Sequence, residues 1–225
     1  MSRPAGGSGV GPSDGRTVGL IETVRVRNGI APLWTLHLAR LRRSAADLGI
    51  PLPAKLARPT GPDRVARLEA GPAGITVTDR AVGATRPVRL VTAGEVHPGY
   101  AHKVTDRAPL DAAREAARAS GADDALLLTA AGRVAEATIW TLFWWDGVRL
   151  ATPALGLGVL PGVARARLGL IAGGLAEREL LPAGLHGRPL FVANAARGVV
   201  AVAELDGVPV PADPRSAALA AAFWP

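Results

Sequence analysis

The stretch DDALLLTAAGRVAEATIWTLFWWDG, residues 123–147, decides how this chain folds. Three apolar runs, at Ala125–Thr129, Val134–Glu136 and Ile139–Trp145, are punctuated by Ala131-Gly132 and Asp146-Gly147. Each run is short, rich in strand formers and closed by a turn signal, so the segment predicts three successive strands. In strand register Glu136 shares a face with Val134 and Thr138, while Arg133 and Ala135 point the other way. A carboxylate on a largely apolar face needs a cationic or hydrogen-bonding partner if it is buried. Taken alone, Glu136 reads in two ways: a surface glutamate on an edge strand, or a carboxylate holding a proton on a buried ring nitrogen.

Working outward, Pro109 starts a helix that runs through Ala119 and stops at Gly121. On the other side, LGVLPG (residues 157–162) leads into a helix reaching about Ala172, ended by Gly173-Gly174. Strands at Leu190–Ala193 and Val199–Leu205 lead to a turn at Asp206-Gly207, and a last helix spans Pro214–Phe223. Toward the N-terminus, Ile21 to Val26 alternate in the strand manner up to Asn28-Gly29, a hairpin signal, with a partner strand expected over Ile30–Leu33. Thr35 is placed to cap a helix carrying Leu38, Leu41, Ala45 and Leu48 on one face, stopped by Gly49 and Pro51. A short helix near Asp63–Ala70 and strands at Ile75–Thr78 and Val88–Val91 complete this half. The expected organisation is α+β: a flexible leader over 1–17, a small unit over 18–95, and a larger unit over 96–225. AGEVHPGYAHK (residues 93–103) joins the two units.

Composition narrows the function. The chain has 225 residues, 48% hydrophobic and 20% charged, the balance of a soluble globular protein. Without cysteine it has no disulfide, thiolate nucleophile or cysteine metal site; no metal site is expected. No apolar run is long enough for a signal peptide or a bilayer span, so a cytoplasmic protein that does not engage membranes is expected. The net charge is +7, but the arginines are scattered and aromatics make up only 4%, which argues against nucleic acid. A diffuse positive field suits small anionic ligands.

Of the 26 basic side chains only Lys55 and Lys103 are lysines. An amine loses its proton and attacks carbonyls, whereas arginine stays charged. Lys55 lies in a proline-rich connection where either cation serves; Lys103 lies midway along the chain, beside His102 and ahead of a helix. It reads either as a solvated loop lysine or as a catalytic one. Gly162 and the amides of Val163 and Ala164 open a helix, where free N–H groups and the dipole form a seat for phosphate. Arg40 lies near the buried face of its helix, between Leu38 and Leu41, and Asn194 and Ala195 follow a buried strand with room for a ligand to approach. An amine, an acid for a pyridinium and two features for a phosphate make the set that pyridoxal phosphate requires.

Six pieces resemble, in order and spacing, the class IV aminotransferase family, the fold-type IV pyridoxal-phosphate enzymes. They are ETVRVRNG, HLARLRRSAADLG, HKVTDR, DDALLLTAAGRVAEATIWTLF, LPGVARARL and ANAARGVV. The resemblance covers residues 18–225 and implies a two-domain α+β fold with the cofactor in a cleft between domains, and a homodimer. It implies that Lys103 is the Schiff-base lysine, that Glu136 pairs with the pyridine nitrogen, and that Arg40 with Gly162, Val163 and Ala164 holds the phosphate. Thr138, Asn194 and Ala195 join the cofactor-binding set, and Arg107, Arg25 and Thr23 are candidates for the substrate.

The chain departs from the family's pattern in several places. Ala164 and Ala195 stand where transaminases often have threonine, Thr141 where asparagine is usual, and Ala108 where tyrosine is frequent. Two lost hydroxyls would weaken phosphate binding by about 1 kcal/mol each. The segment ahead of GLIETVRV is short and lacks the family's opening strand pair. Asn194-Ala195, and Asp106-Arg107 after the lysine, are similar to the aminodeoxychorismate lyases of the family, whose substrate is a dianion. The expected function is a pyridoxal-phosphate lyase releasing pyruvate to give 4-aminobenzoate in folate synthesis. The alternatives are a D-amino-acid or branched-chain transaminase, and a non-catalytic relative that acts as a binding protein.

Overall fold

Alternation of inward and outward residues builds the first sheet of the computed structural model, which describes residues 18–225. The leader expected over 1–17 lies outside the described residues. Strand β1 (Leu20–Val26) buries Leu20, Val24 and Val26, and pairs antiparallel with β4 (Arg64–Gly71), which pairs in turn with β5 (Gly74–Arg80). The short helix expected near Asp63–Ala70 is therefore a strand. Its arginine, alanine, leucine and glutamate are good helix formers, but Ala66, Leu68 and Ala70 point inward with period two. A position between two partner strands outweighs that propensity.

Asn28 and Gly29 both take positive φ, 50° and 83°, as a tight hairpin turn requires. The return strand is only β2 (Gly29–Ile30), paired with β3 (Thr60–Gly61), because Pro32 and the next helix cut it short. Helix α1 (Trp34–Leu48) starts behind Leu33 with no side-chain cap, so Thr35 is not its cap; Gly49, at φ 66°, ends it as expected. Its buried stripe is Trp34, His37, Arg40, Leu41, Ser44 and Ala45, whereas Leu48 is exposed. The stripe is rotated from the leucine face expected, because a buried carboxylate on β1 draws His37 and Arg40 inward.

The second sheet holds the rest. Its strands are β6 (Val88–Val96), β7 (Asp124–Leu128), β8 (Val134–Ala137), β9 (Thr141–Asp146), β10 (Arg149–Pro153), β11 (Ala176–Arg178), β12 (Leu190–Asn194), β13 (Gly198–Leu205) and β14 (Val208–Pro209). The order is β11-β10-β9-β12-β13-β6-β7-β8, with β14 paired to β13. Strand β6 pairs with β13 and β7, so the expected division at residue 95 cuts a strand away from its own sheet. The far ends of the path meet: Ala137 bridges Trp140, and Val134 donates its N–H to the Leu180 carbonyl at 2.8 Å. Of these strands, β10, β11 and the two-residue β14 were not expected from the sequence.

Both faces of the central strands are buried. Leu142, Trp144 and Val192 enter one core, while Phe143 and Phe191, stacked at 5.3 Å, enter another beneath α3 (Val163–Ile171) and α4 (Pro214–Ala222). Helix α2 (Ala108–Ala119) lays Leu110, Ala113 and Ala117 against β7. Buried Arg165 ties α3 down by donating to Thr152 Oγ1 and the Pro153 carbonyl and pairing with Glu177. That anchorage fixes where the first turn of α3 points. Among the described residues no helix is long and apolar enough to cross a membrane.

Candidate active site

A cavity of about 490 Å³ lies between the first sheet, the Lys103 loop, the β8–β9 corner and the start of α3. It is lined by Lys103, Glu136, Arg40, Arg107 and Thr23, by Gly162, Val163 and Ala164, and by Thr138, Asn194 and Ala195. Arg25 does not line it: its guanidinium turns to Asp63 at 2.8 Å. Of the residues expected to form a site, Arg25 alone is left outside.

The backbone pins Lys103 beside β1. Ile21 donates its N–H to the Lys103 carbonyl at 2.7 Å, and Val104 bridges Leu20. Burial, reinforced by Arg107 and Arg40, pulls the Lys103 amine down to about 7, against the opposing influence of Glu22 and Glu136. At neutral pH a large share of this amine is therefore uncharged and nucleophilic. An exposed loop lysine has no such environment.

Glu136 sits on an edge strand yet is only 3% exposed. Its Oε1 accepts from the Leu160 N–H at 2.8 Å and contacts His97 Nε2 at 3.1 Å. Gly99 donates its N–H to His97 Nδ1, so Nδ1 is the acceptor nitrogen and Nε2 is the donor to Glu136. Both contacts fall on Oε1, which leaves Oε2 for the cavity. Tyr100 stacks on His97 with ring centroids 5.4 Å apart, and burial with Glu136 nearby pushes its hydroxyl pKa up.

Arg40 is 6% exposed and clamped by Glu22, which accepts from Nε at 2.8 Å and from one Nη at 2.6 Å. His37 Nδ1 lies 2.6 Å from the same carboxylate. Burial alone would raise Glu22, but Arg40 and His37 overcome it and hold the group at about 2. Glu22 thus fixes the guanidinium while its remaining nitrogen faces the cavity. The α3 N-terminus has no side-chain cap; Gly162 is extended at φ −67°, and the Val163 and Ala164 amides lie at the cavity wall. A Cβ on Gly162 would meet Thr141 Oγ1 at 3.2 Å, so the glycine keeps this approach open. Free amides and a positive helix end form an anion seat.

Two expected contributors are engaged elsewhere. The Thr138 hydroxyl donates to Asp124, although its carbonyl, which accepts from Arg107 at 2.7 Å, borders the cavity. Asn194 Oδ1 accepts from the Ala196 and Arg197 amides, which shapes the β12–β13 turn. Glu22, His37, His97 and Tyr100 were missed. The signal for Glu22 was its place in the inward phase of β1. For His37 it was the spacing to Arg40, Leu41 and Ser44 on α1, and for His97 and Tyr100 a run of ring side chains in a segment read only as a linker.

The arrangement offers an amine of lowered basicity, a carboxylate anchored on one oxygen, an anion seat and an excess of cations. Residues 80–205 match the model of a family described as amino-transferase class IV. Among solved structures, the chain is similar to a protein of Legionella pneumophila given the provisional name 4-amino-4-deoxychorismate lyase. They share 25% identity over 95% of this chain and 96% of that one, with a TM-score of 0.80. It is 29% identical to a provisionally named amino-acid aminotransferase from Mesorhizobium loti, over 83% and 99% of the two chains, with a TM-score of 0.73. A hypothetical aminotransferase from Mycobacterium tuberculosis in its PLP-bound form shares the fold. It is 22% identical over 91% and 87%, with a TM-score of 0.79. No curated protein matches the chain.

Proposed function

This chain belongs to the class IV aminotransferase family, and from that premise we propose that it is 4-amino-4-deoxychorismate lyase, releasing pyruvate to leave 4-aminobenzoate. Enzymes of this family use pyridoxal 5'-phosphate. The residues present fit that group: a half-buried lysine amine at about 7, an anchored carboxylate, and free amides at a helix start. When bound, the cofactor supplies a carbonyl carbon for amines and a conjugated ring that takes up electrons.

Lys103 would hold the cofactor and, once displaced by the substrate amine, take the proton from the neighbouring substrate carbon. Glu136, steadied by Leu160 and His97, would keep a proton on the ring nitrogen. Arg40 and the amides of Val163 and Ala164 would hold the phosphate. Arg107, fixed to the Thr138 carbonyl, and Thr23 face the substrate side.

The observation that carries the lyase reading is the charge of the cavity wall, where seven arginines and Lys103 meet only Asp111 and Glu136. Such a wall favours a dianionic substrate over an amino acid with an apolar side chain. The likeness to the Legionella protein points the same way. The test is pyruvate release from 4-amino-4-deoxychorismate by cofactor-loaded protein; a rate no higher than that of Lys103→Ala overturns the reading.

A D-amino-acid or branched-chain transaminase is the second reading, favoured by the 29% identity to the Mesorhizobium protein. It requires that an amino acid alone change the visible spectrum of the loaded protein and that a keto acid restore it. We further propose two domains divided within residues 81–87, ahead of β6, with the cavity between them, and a homodimer in the cytoplasm.

A further inference from the structure

Among the described residues, four guanidinium groups on the cavity wall have no hydrogen-bond or ion-pair partner. Arg80 ends β5, Arg114 and Arg118 lie on α2, and Arg197 sits in the β12–β13 turn. The other arginines of the wall are engaged: Arg40 with Glu22, Arg67 with Glu69, and Arg107 with the Thr138 carbonyl. Among the described residues these four side chains make neither an ion pair nor a hydrogen bond, and Arg114 Nε is buried with nothing to donate to. Asp124, a nearby carboxylate, is already taken by the Thr138 hydroxyl and the Ala125 and Ile139 amides.

The grouping costs the fold something. Arg114 and Arg118 stand at i and i+4 on one face of α2, where like charges repel. The adjoining face of α2, through Leu110, Ala113 and Ala117, is fixed against β7, so the arginines beside it cannot rotate away. Arg197 is held over the Trp140 ring at 5.6 Å, which positions its charge toward the cavity instead of releasing it to water. Burial lowers the basicity of both Arg114 and Arg197; Arg118 and Arg197 act on Arg114 in the same sense, and Arg80, Arg118 and Arg86 on Arg197. The opposing influence of Asp124 on both, with Asp111 on Arg114, does not overcome them. The cations next to Lys103 are different ones, Arg107 and Arg40. The wall therefore carries two separate cationic groups.

We propose that Arg80, Arg114, Arg118 and Arg197 form a second anion subsite, which receives a carboxylate of the substrate remote from the amine that reacts at Lys103. The substrate class is then an amine bearing two carboxylates. This rests on the reading above only in taking the cavity as the substrate site.

The experiment is a titration of cofactor-loaded protein with benzoate, isophthalate and terephthalate at constant ionic strength, followed by calorimetry. It is repeated on Arg114→Gln and Arg197→Gln, with sedimentation mass and cofactor content measured for each protein. At least one diacid should bind about tenfold more tightly than benzoate, as a charge-assisted contact would give. In both variants that preference should fall to within about twofold, with cofactor content unchanged. Equal binding of monoacid and diacids by the wild type overturns the proposal, and so does a preference that survives both substitutions. A changed mass with unchanged preference also overturns it, because carboxylates of a second chain are then the missing partners. The lyase reading fails on a different readout: absence of pyruvate release, with the diacid preference intact, leaves this subsite standing.

Discussion

Lys103 differs from an ordinary lysine through its surroundings, and that difference is measurable. With its amine held at about 7 instead of 10.5, the reactive neutral form passes its midpoint near pH 7 and saturates about one to two units above it. Stopped-flow absorbance should show cofactor loading that accelerates through a midpoint near pH 7 and is flat by about pH 9; a rate still rising about tenfold per pH unit at pH 9 would mean an unperturbed amine. Residue type made Lys103, Glu136 and Arg40 legible in the sequence, because an isolated lysine, a carboxylate on an apolar strand and an arginine beside a buried stripe each pose a chemical question. Their supports were harder to read. Glu22 meets Arg40 across 18 residues of chain, and His97 meets Glu136 across 39, so only folding brings them together. Arg25 carried the right charge, but Asp63, also remote in sequence, claims it.

At the scale of elements, α1 and β1 are joined by a buried ion pair more than by leucine packing. Glu22→Gln would leave Arg40 charged and unpaired in the interior, a loss on the order of 3 kcal/mol in urea unfolding at pH 7. Because folding depresses Glu22 from 4.5 to about 2, the wild-type advantage is full above about pH 4.5 and disappears as pH falls through about 2. Acid titrations of the two proteins should converge there. The Gly158 turn makes a second point of leverage: it takes φ 79°, and a Cβ there would meet Gly99 Cα at 3.1 Å. Its carbonyl also accepts the Tyr100 N–H at 2.9 Å. Gly158→Ala should lower stability by about 1–2 kcal/mol and weaken cofactor retention, measured by dialysis, by disturbing the His97 loop. Strands with β-branched and aromatic residues were legible, and so were the helices flanked by proline and glycine. The sequence misled at β4, where side chains that favour helix sit between two partner strands. It was silent at β10, whose RLATP carries one large apolar residue and ends in proline, and at β11 and β14, which are too short to show a pattern.

For the whole molecule, the rolled sheet and the first sheet each contribute residues to the wall of a single cavity. Thr23, Arg67 and Arg80 come from the first sheet, Glu136 from the second, and Val163 and Ala164 from α3, which packs on it. The homodimer proposed above predicts a sedimentation mass of twice 23.0 kDa; a single-chain mass at micromolar concentration would remove it. What the α+β pattern could not convey is how the sheet closes, since the Val134–Leu180 contact joins segments that look unrelated along the chain. The central claim is that Lys103 carries the cofactor in this cavity. Borohydride reduction of pyridoxal-phosphate-loaded protein, followed by peptide mapping, tests it most directly. The account predicts one phosphopyridoxyl label per chain, on Lys103; no label, or label on Lys55 alone, would contradict it.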